Sequence, residues 1–295
     1  MTTLDEVLPP LTHTGVCRHP LDRLGRLLMR TTSRRFERRA VPWLIGPSAG
    51  VEVVGHDWVE RMAADLGGSV STGPDHGLLT SFEALRGKDF DPDRVDARIV
   101  EFYEHATRWR LDLWSEWSAV AWPFGLAITA LFSERLKQLS LPMRSLDVSY
   151  GMDSKVIHVH GRDGKVLGAA WLRNMIKTGS TTYSGLYGVA RLPGSDQPSV
   201  RVVFPLPLGS AQVFLRPSVD ADGGLHLRSP LGRFGGDGAY LVLERKGGDT
   251  LNARRVPLNE HFHLFVDAEG DVRCDHSLKL WNIPAVRLHY RLRKS

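Results

Sequence analysis

Two cysteines, Cys17 and Cys274, are all that 295 residues contain, and they lie far apart in no Cys-x-x-Cys pair. This excludes a disulfide framework and a thiolate zinc site, and it fits a reducing compartment. A long apolar run is missing too. The least polar stretch, VAWPFGLAITALF at 120–132, has thirteen uncharged residues broken by Pro123 and Gly125, whereas a membrane-spanning helix needs roughly 20. It reads as a buried helix or an interfacial segment. The opening residues MTTLDEVLPP carry acids and prolines where a secretory signal has a basic start and an apolar core, so the expected location is cytoplasmic. Phosphate-loop and dinucleotide glycine spacings are absent, and with them the support for cofactor-driven chemistry. No cofactor is therefore expected.

What is present is ordinary globular material. The apolar fraction of 42% and the charged fraction of 24% exclude a disordered or fibrous chain. The net charge of +5 is concentrated, because eight arginines fall between Arg18 and Arg39 while the remainder is close to balanced. In that stretch Leu21, Leu24, Leu27 and Leu28 recur at helical spacing, with Arg23, Arg26, Arg30 and Arg34 on the other side. Such a basic amphipathic helix packs on a core with a solvated arginine face, or it touches an anionic membrane surface weakly and in a salt-sensitive way. Nucleic acid is not an expected partner. A second periodic run covers Asp93 to Trp117, where Phe102, Ala106, Trp109, Leu113 and Trp117 recur every three or four residues, predicting one long helix that Asp93 can cap. A shorter helix is expected from Trp58 to Leu66.

Beyond Leu141-Pro142 the period changes from 3.6 to 2. This divides the chain into a mostly helical region, 1–145, and an antiparallel β-rich region, 146–295. The first hairpin runs from Lys155 to His160, turns at Gly161-Arg162-Asp163-Gly164 and returns from Lys165 to Leu172. Strands follow at 181–191, 200–206, 210–216, 224–229, 239–245, 251–257, 260–267, 271–281 and 285–292. The expected fold class is α+β, with a helical N-terminal part covering a barrel-like or curved-sheet C-terminal domain.

The alternation assigns faces. Val272, Cys274, His276, Leu278 and Leu280 share one side of their strand, Glu260 shares a side with Phe262, Leu264 and Val266, and Tyr290 shares one with Val286, Leu288 and Leu292. Arg173 falls in line with Leu167, Ala169 and Trp171. A charge on an apolar face must be paired, neutralised or at a pocket. Glu260 and His276 are thus the candidate catalytic residues, with Arg173, Trp171 and Tyr290 as candidate substrate-binding residues. His261-x-His263 places two imidazoles on one face, but no third ligand is identifiable and no metal is assigned.

Several fragments carry a resemblance: FYEH followed by Trp114-Ser115-Glu116-Trp117-Ser118, Gln138-Leu139 near Leu141-Pro142, Val203-Phe204-Pro205-Leu206-Pro207, and the closing Leu288-His289-Tyr290-Arg291. Together they resemble an uncharacterised family of bacterial proteins. The second half, with Trp171-Leu172-Arg173 and the terminal His-Tyr-Arg, is similar to an uncharacterised domain fused behind saccharopine-dehydrogenase-like reductases. Neither resemblance implies an activity; both imply one compact β-rich domain. Two functional expectations follow. One is a cofactor-independent enzyme of cyclase, isomerase or hydratase type acting on an apolar small molecule, such as a polyketide- or isoprenoid-like metabolite, by acid–base chemistry. The other is a non-catalytic carrier or binder of a lipid or other hydrophobe, peripherally associated with a membrane.

Overall fold

The structure is a computed structural model and describes residues 29, 31–48, 57–117, 152–176, 181–206, 209–245 and 248–295. Among these residues lie fourteen strands, every pairing antiparallel, and two α-helices. The strands are β1 (Arg34–Glu37), β2 (Ser69–Thr72), β3 (Trp109–Trp117), β4 (Met152–His160), β5 (Val166–Met175), β6 (Thr181–Ala190) and β7 (Ser199–Leu206). They continue as β8 (Gly209–Val219), β9 (Leu225–Ser229), β10 (Gly238–Glu244), β11 (Thr250–Val256), β12 (Leu258–Val266), β13 (Val272–Leu280) and β14 (Ile283–Lys294). The helices are α1 (Asp57–Asp65) and α2 (Ala97–Glu104).

β8 organises the topology. Its first half pairs with both β7 and β10, from Gly209 to Phe214 on the β10 side, and its last four residues, Arg216 to Val219, pair with β9 instead. The switch falls at Arg216-Pro217, where proline supplies no N–H to a ladder and so suits a strand leaving one sheet for another. One sheet therefore runs β2-β4-β5-β6-β7-β8-β10-β11-β1, and the other continues from the end of β8 through β9-β12-β13-β14-β3. Their inner faces share a core: Val156, Trp171, Val200, Val202 and Val213 from the first meet Leu225, Leu227, Leu264, Val272 and Leu292 from the second. The outer face of the first sheet is covered as well. Trp58, Val59, Met62 and Ala63 of the amphipathic α1 pack on Val159, Ala170, Leu172, Leu186 and Val203, and the Trp58 indole N–H donates to Ser184 Oγ at 2.9 Å. Burial on both faces explains why β7 reads Val-Arg-Val-Val-Phe rather than alternating.

The strands expected from 155 onward are present within one to three residues of their predicted bounds. The α+β class is not. No helical N-terminal domain covers the sheet among the described residues, and the sheet is open, with β1, β2 and β3 at its free edges. The long helix expected over 93–117 stops at Glu104, where His105 takes φ −138°, and 109–117 form β3 beside β14. The same residues satisfy both periods: Trp109, Leu111 and Leu113 are buried while Arg110 and Trp114 face out, and pairing with a twelve-residue neighbour decides for strand. The arginine-rich helix likewise does not extend to 39, since Arg34–Glu37 pair with Ala253–Thr250. Residues 18–28 and the uncharged run 120–132 lie outside the described residues, as does the predicted boundary near Pro142. Among the described residues no helix is long and apolar enough to cross a membrane.

His158 on β4 stabilises the first sheet in a pH-dependent way. Its Nε2–H donates to the Gly77 carbonyl at 2.8 Å and its ring stacks on His76 at 4.0 Å. Burial holds its pKa below the usual 6.5, against the pull of the Gly77 carbonyl and with help from His76 and His160. A histidine depressed in the folded state binds its proton more readily when unfolded. Its contribution is therefore full above about 6.5 and is lost as pH falls through the folded value. The urea midpoint should drop more between about pH 7 and pH 5 for the natural protein than for His158→Gln, whose amide can still donate to Gly77. Equal acid sensitivity of the two would refute this.

Candidate active site

β12 and β13 pair with Glu260 opposite Leu278 and Phe262 opposite His276. Glu260 and His276 are thus diagonal neighbours on the inner face, each only 9% exposed. His276 Nε2 lies 3.2 Å from Glu260 Oε2, and the imidazole stacks on Phe262 at 3.7 Å between centroids. The Glu260 backbone N–H donates to the fully buried Ser229 Oγ at 2.8 Å, which fixes that carboxylate's strand against β9. His276 Nδ1 is buried and has no hydrogen-bond partner among the described residues. In the tautomer whose Nε2–H donates to the carboxylate, Nδ1 carries the ring's lone pair. That is the arrangement of an oriented general base.

The three predicted binding residues gather around one cation. Arg173, 5% exposed, places its guanidinium carbon 5.0 Å from the Trp171 ring, 5.5 Å from Tyr290 and 5.9 Å from Tyr183. Each such contact favours the charge once desolvated. Arg173 and Trp171 come from β5, Tyr183 from β6 and Tyr290 from β14, so the cage spans both sheets. Of the residues aligned with Arg173 in the sequence, Leu167 alone packs on the outer face. A bulge between Val159 and His160 inserts it as an extra residue, which turns its side chain over.

The site is electrostatically one neighbourhood. Burial pushes the hydroxyls of Tyr183, Tyr187 and Tyr290 above their ordinary value, that of Tyr290 to about 12; Arg173 opposes the rise in each and Glu260 adds to it. Burial likewise keeps the Cys274 thiol, opposite Tyr290, protonated. Tyr183 and Tyr187 escaped the sequence reading, although both lie on a predicted strand with aromatic spacing of four.

Two other features bear on function. A cleft of about 90 Å³ is lined by Leu79, Ala84, Leu186, Arg201 and Val203, with Tyr187 in its wall. Neither Glu260, His276 nor Arg173 lines it. Residues 46–50 spell Gly-Pro-Ser-Ala-Gly, the letters of a nucleophile elbow. Ser48 follows the 3-10 turn Pro42–Leu44 rather than a strand, so the setting that makes such a serine reactive is missing.

This chain is similar to the uncharacterised membrane protein YndJ of Bacillus subtilis (strain 168). The two are 28% identical over 245 residues, 82% of this chain and 42% of YndJ. The chain thus spans less than half the length of that relative. No family model matches the chain, and no solved structure does.

Proposed function

We propose that the chain binds a small, largely apolar molecule between its two sheets and transforms it without a cofactor, by proton transfer through His276 with Glu260 behind it. The observation that carries this reading is His276 Nδ1, buried and unpartnered, on an imidazole whose other nitrogen is held by a carboxylate at 3.2 Å. An unsatisfied buried acceptor costs about 1–3 kcal/mol, and a bound molecule offering a proton at that atom recovers it. In the reaction Nδ1 takes a proton from the substrate, Glu260 stabilises the imidazolium, and the proton returns to another atom of the same molecule. No oxidant is needed: an isomerase or cyclase conserves the atoms of the one molecule, and a hydratase adds the elements of one water, whose proton His276 would take in place of the substrate's. Arg173 in its aromatic cage supplies the positive charge that a developing oxyanion would require.

A second reading is favoured by the similarity to a protein named as a membrane protein and by the arginines at 18–39. In it the same interior carries a lipid or other hydrophobe, and the chain docks peripherally on an anionic surface. Native mass spectrometry of the full chain separates the readings from a purely structural role. A retained small molecule, released on denaturation, is the expected result for both; co-sedimentation with phosphatidylglycerol but not phosphatidylcholine vesicles adds weight to the carrier. A chain that retains nothing and binds no apolar fluorescent probe between its sheets would defeat both.

A further inference from the structure

On the outer face of β12, behind the strand that carries Glu260 inward, a second group of side chains converges. β9 and β12 pair so that His226 stands directly opposite His263, and their rings stack at 4.2 Å between centroids. The β8–β9 turn brings Asp220 against both. Its Oδ2 lies 3.2 Å from His263 Nε2 and 3.4 Å from His226 Nε2, and one donor atom from each residue falls within 4.8 Å of the others. At 3.2 Å the His263 Nε2–Asp220 Oδ2 contact is a hydrogen bond when no ion is bound. A tetrahedral ion with bonds of about 2.0–2.1 Å separates its ligands by about 3.3–3.4 Å, so both distances already suit one.

From this geometry we propose that Asp220, His226 and His263 form a site for a divalent transition-metal ion of the zinc type, its fourth position open to water or an external ligand. Three further features support it. Asp220 Oδ1 accepts the backbone N–H of Gly224 at 2.7 Å and of Asp222 at 3.0 Å, so the turn holds Oδ2 towards the histidines. His226 Nδ1 lies 2.9 Å from His261 Nε2; ligation through Nε2 requires a proton on Nδ1, and His261 is placed to accept it, the outer-shell contact that orients metal-bound histidines. Entry is open, the side chains of His226, His263 and Asp220 being 16%, 31% and 31% exposed.

Arg228 works against a cation here; its Nη1 donates to Ser218 Oγ at 2.7 Å.

The test titrates the full chain, stripped with a chelator, with Zn²⁺ by calorimetry and with Co²⁺ by visible absorption. One equivalent of each should bind, and Co²⁺ should give the intense absorption of a tetrahedral site. His226→Ala and His263→Gln should each weaken binding at least 10-fold. Asp220→Asn should do the same while keeping an oxygen for the turn amides, and His261→Phe should cost about 10-fold. Arg228→Gln should tighten binding. His289→Ala, on β14 with Asp275 as its partner at 2.7 Å, should change nothing. Absence of saturable binding overturns the proposal, as does a weak octahedral Co²⁺ spectrum in the natural protein. So does an affinity that folded Asp220→Asn leaves intact.

Discussion

Phe102→Ala should lower the stability of the protein by about 3–5 kcal/mol, the range for removing a large aromatic from a packed core. Phe102 is 4% exposed on α2 and faces the space between the sheets. Its ring meets Tyr103 at 5.3 Å, Trp109 at 6.0 Å and Trp171 at 6.3 Å, all three edge-on within the T-shaped range. Trp171 is also a wall of the Arg173 cage, so the cavity left by the substitution opens beside the candidate site. Urea unfolding should show a lower midpoint with an unchanged slope. Phe102→Leu should cost no more than about 1.5 kcal/mol, because the volume is nearly kept. A loss below about 1 kcal/mol for alanine would mean that α2 is a surface appendage rather than part of the core between the sheets.

The position of Phe102 also shows where sequence reasoning succeeds and where it stops. Its burial was legible, since Phe102 recurs with Ala106 and Trp109 at helical spacing, and Asp96 in the structure caps the helix by accepting from the Arg98 N–H at 2.9 Å. The end of the helix was not. Trp109-Arg-Leu-Asp-Leu-Trp alternates as cleanly as it turns, and only the presence of β14 alongside, nearly two hundred residues later in the chain, selects the strand. Pairing partners are long-range facts that a local period does not carry.

The same distinction runs through both polar groups. Glu260 and His276 were recoverable because two strands joined by a short turn leave little freedom of register. Counting faces then brings them together. Of the Arg173 cage, Arg173, Trp171 and Tyr290 were picked out singly, Tyr183 was not, and the cage itself was not legible, since β5 and β14 belong to different sheets. For the histidines, His261-x-His263 gave two candidate ligands on one face and no third. His226 stands opposite His263 only because β12 skips β10 and β11 to pair with β9. One signal was available: His226 alternates with the buried Leu225 and Leu227, so it had to face outward, and the Asp-Ala-Asp-Gly-Gly turn beside it is the kind whose first carboxylate folds back on its own backbone.

The second large effect concerns the buried pair and separates chemistry from architecture. His276→Phe alone should destabilise the protein by about 3–5 kcal/mol, because it strands the Glu260 carboxylate in a site where its side chain is 12% exposed. Glu260→Gln should cost far less, since its amide oxygen can still accept the His276 Nε2–H. The double replacement Glu260→Leu with His276→Phe removes both polar groups together, and an apolar pair of similar volume in such a place is often neutral or stabilising. If the pair serves the proposed proton transfer, this double variant should match or exceed the natural protein in urea. It should also lose any molecule held through His276 Nδ1, and turnover should fall on the order of 10²–10⁴-fold, the usual worth of a positioned acid–base group. Glu260→Gln should keep the molecule and lose most of the turnover, because the imidazolium is no longer opposed by a charge. A double variant that is strongly destabilised would make Glu260 and His276 a structural pair. One that is stable and still turns the molecule over would remove them from the reaction and leave the carrier reading, which needs the apolar space between the sheets and no proton transfer.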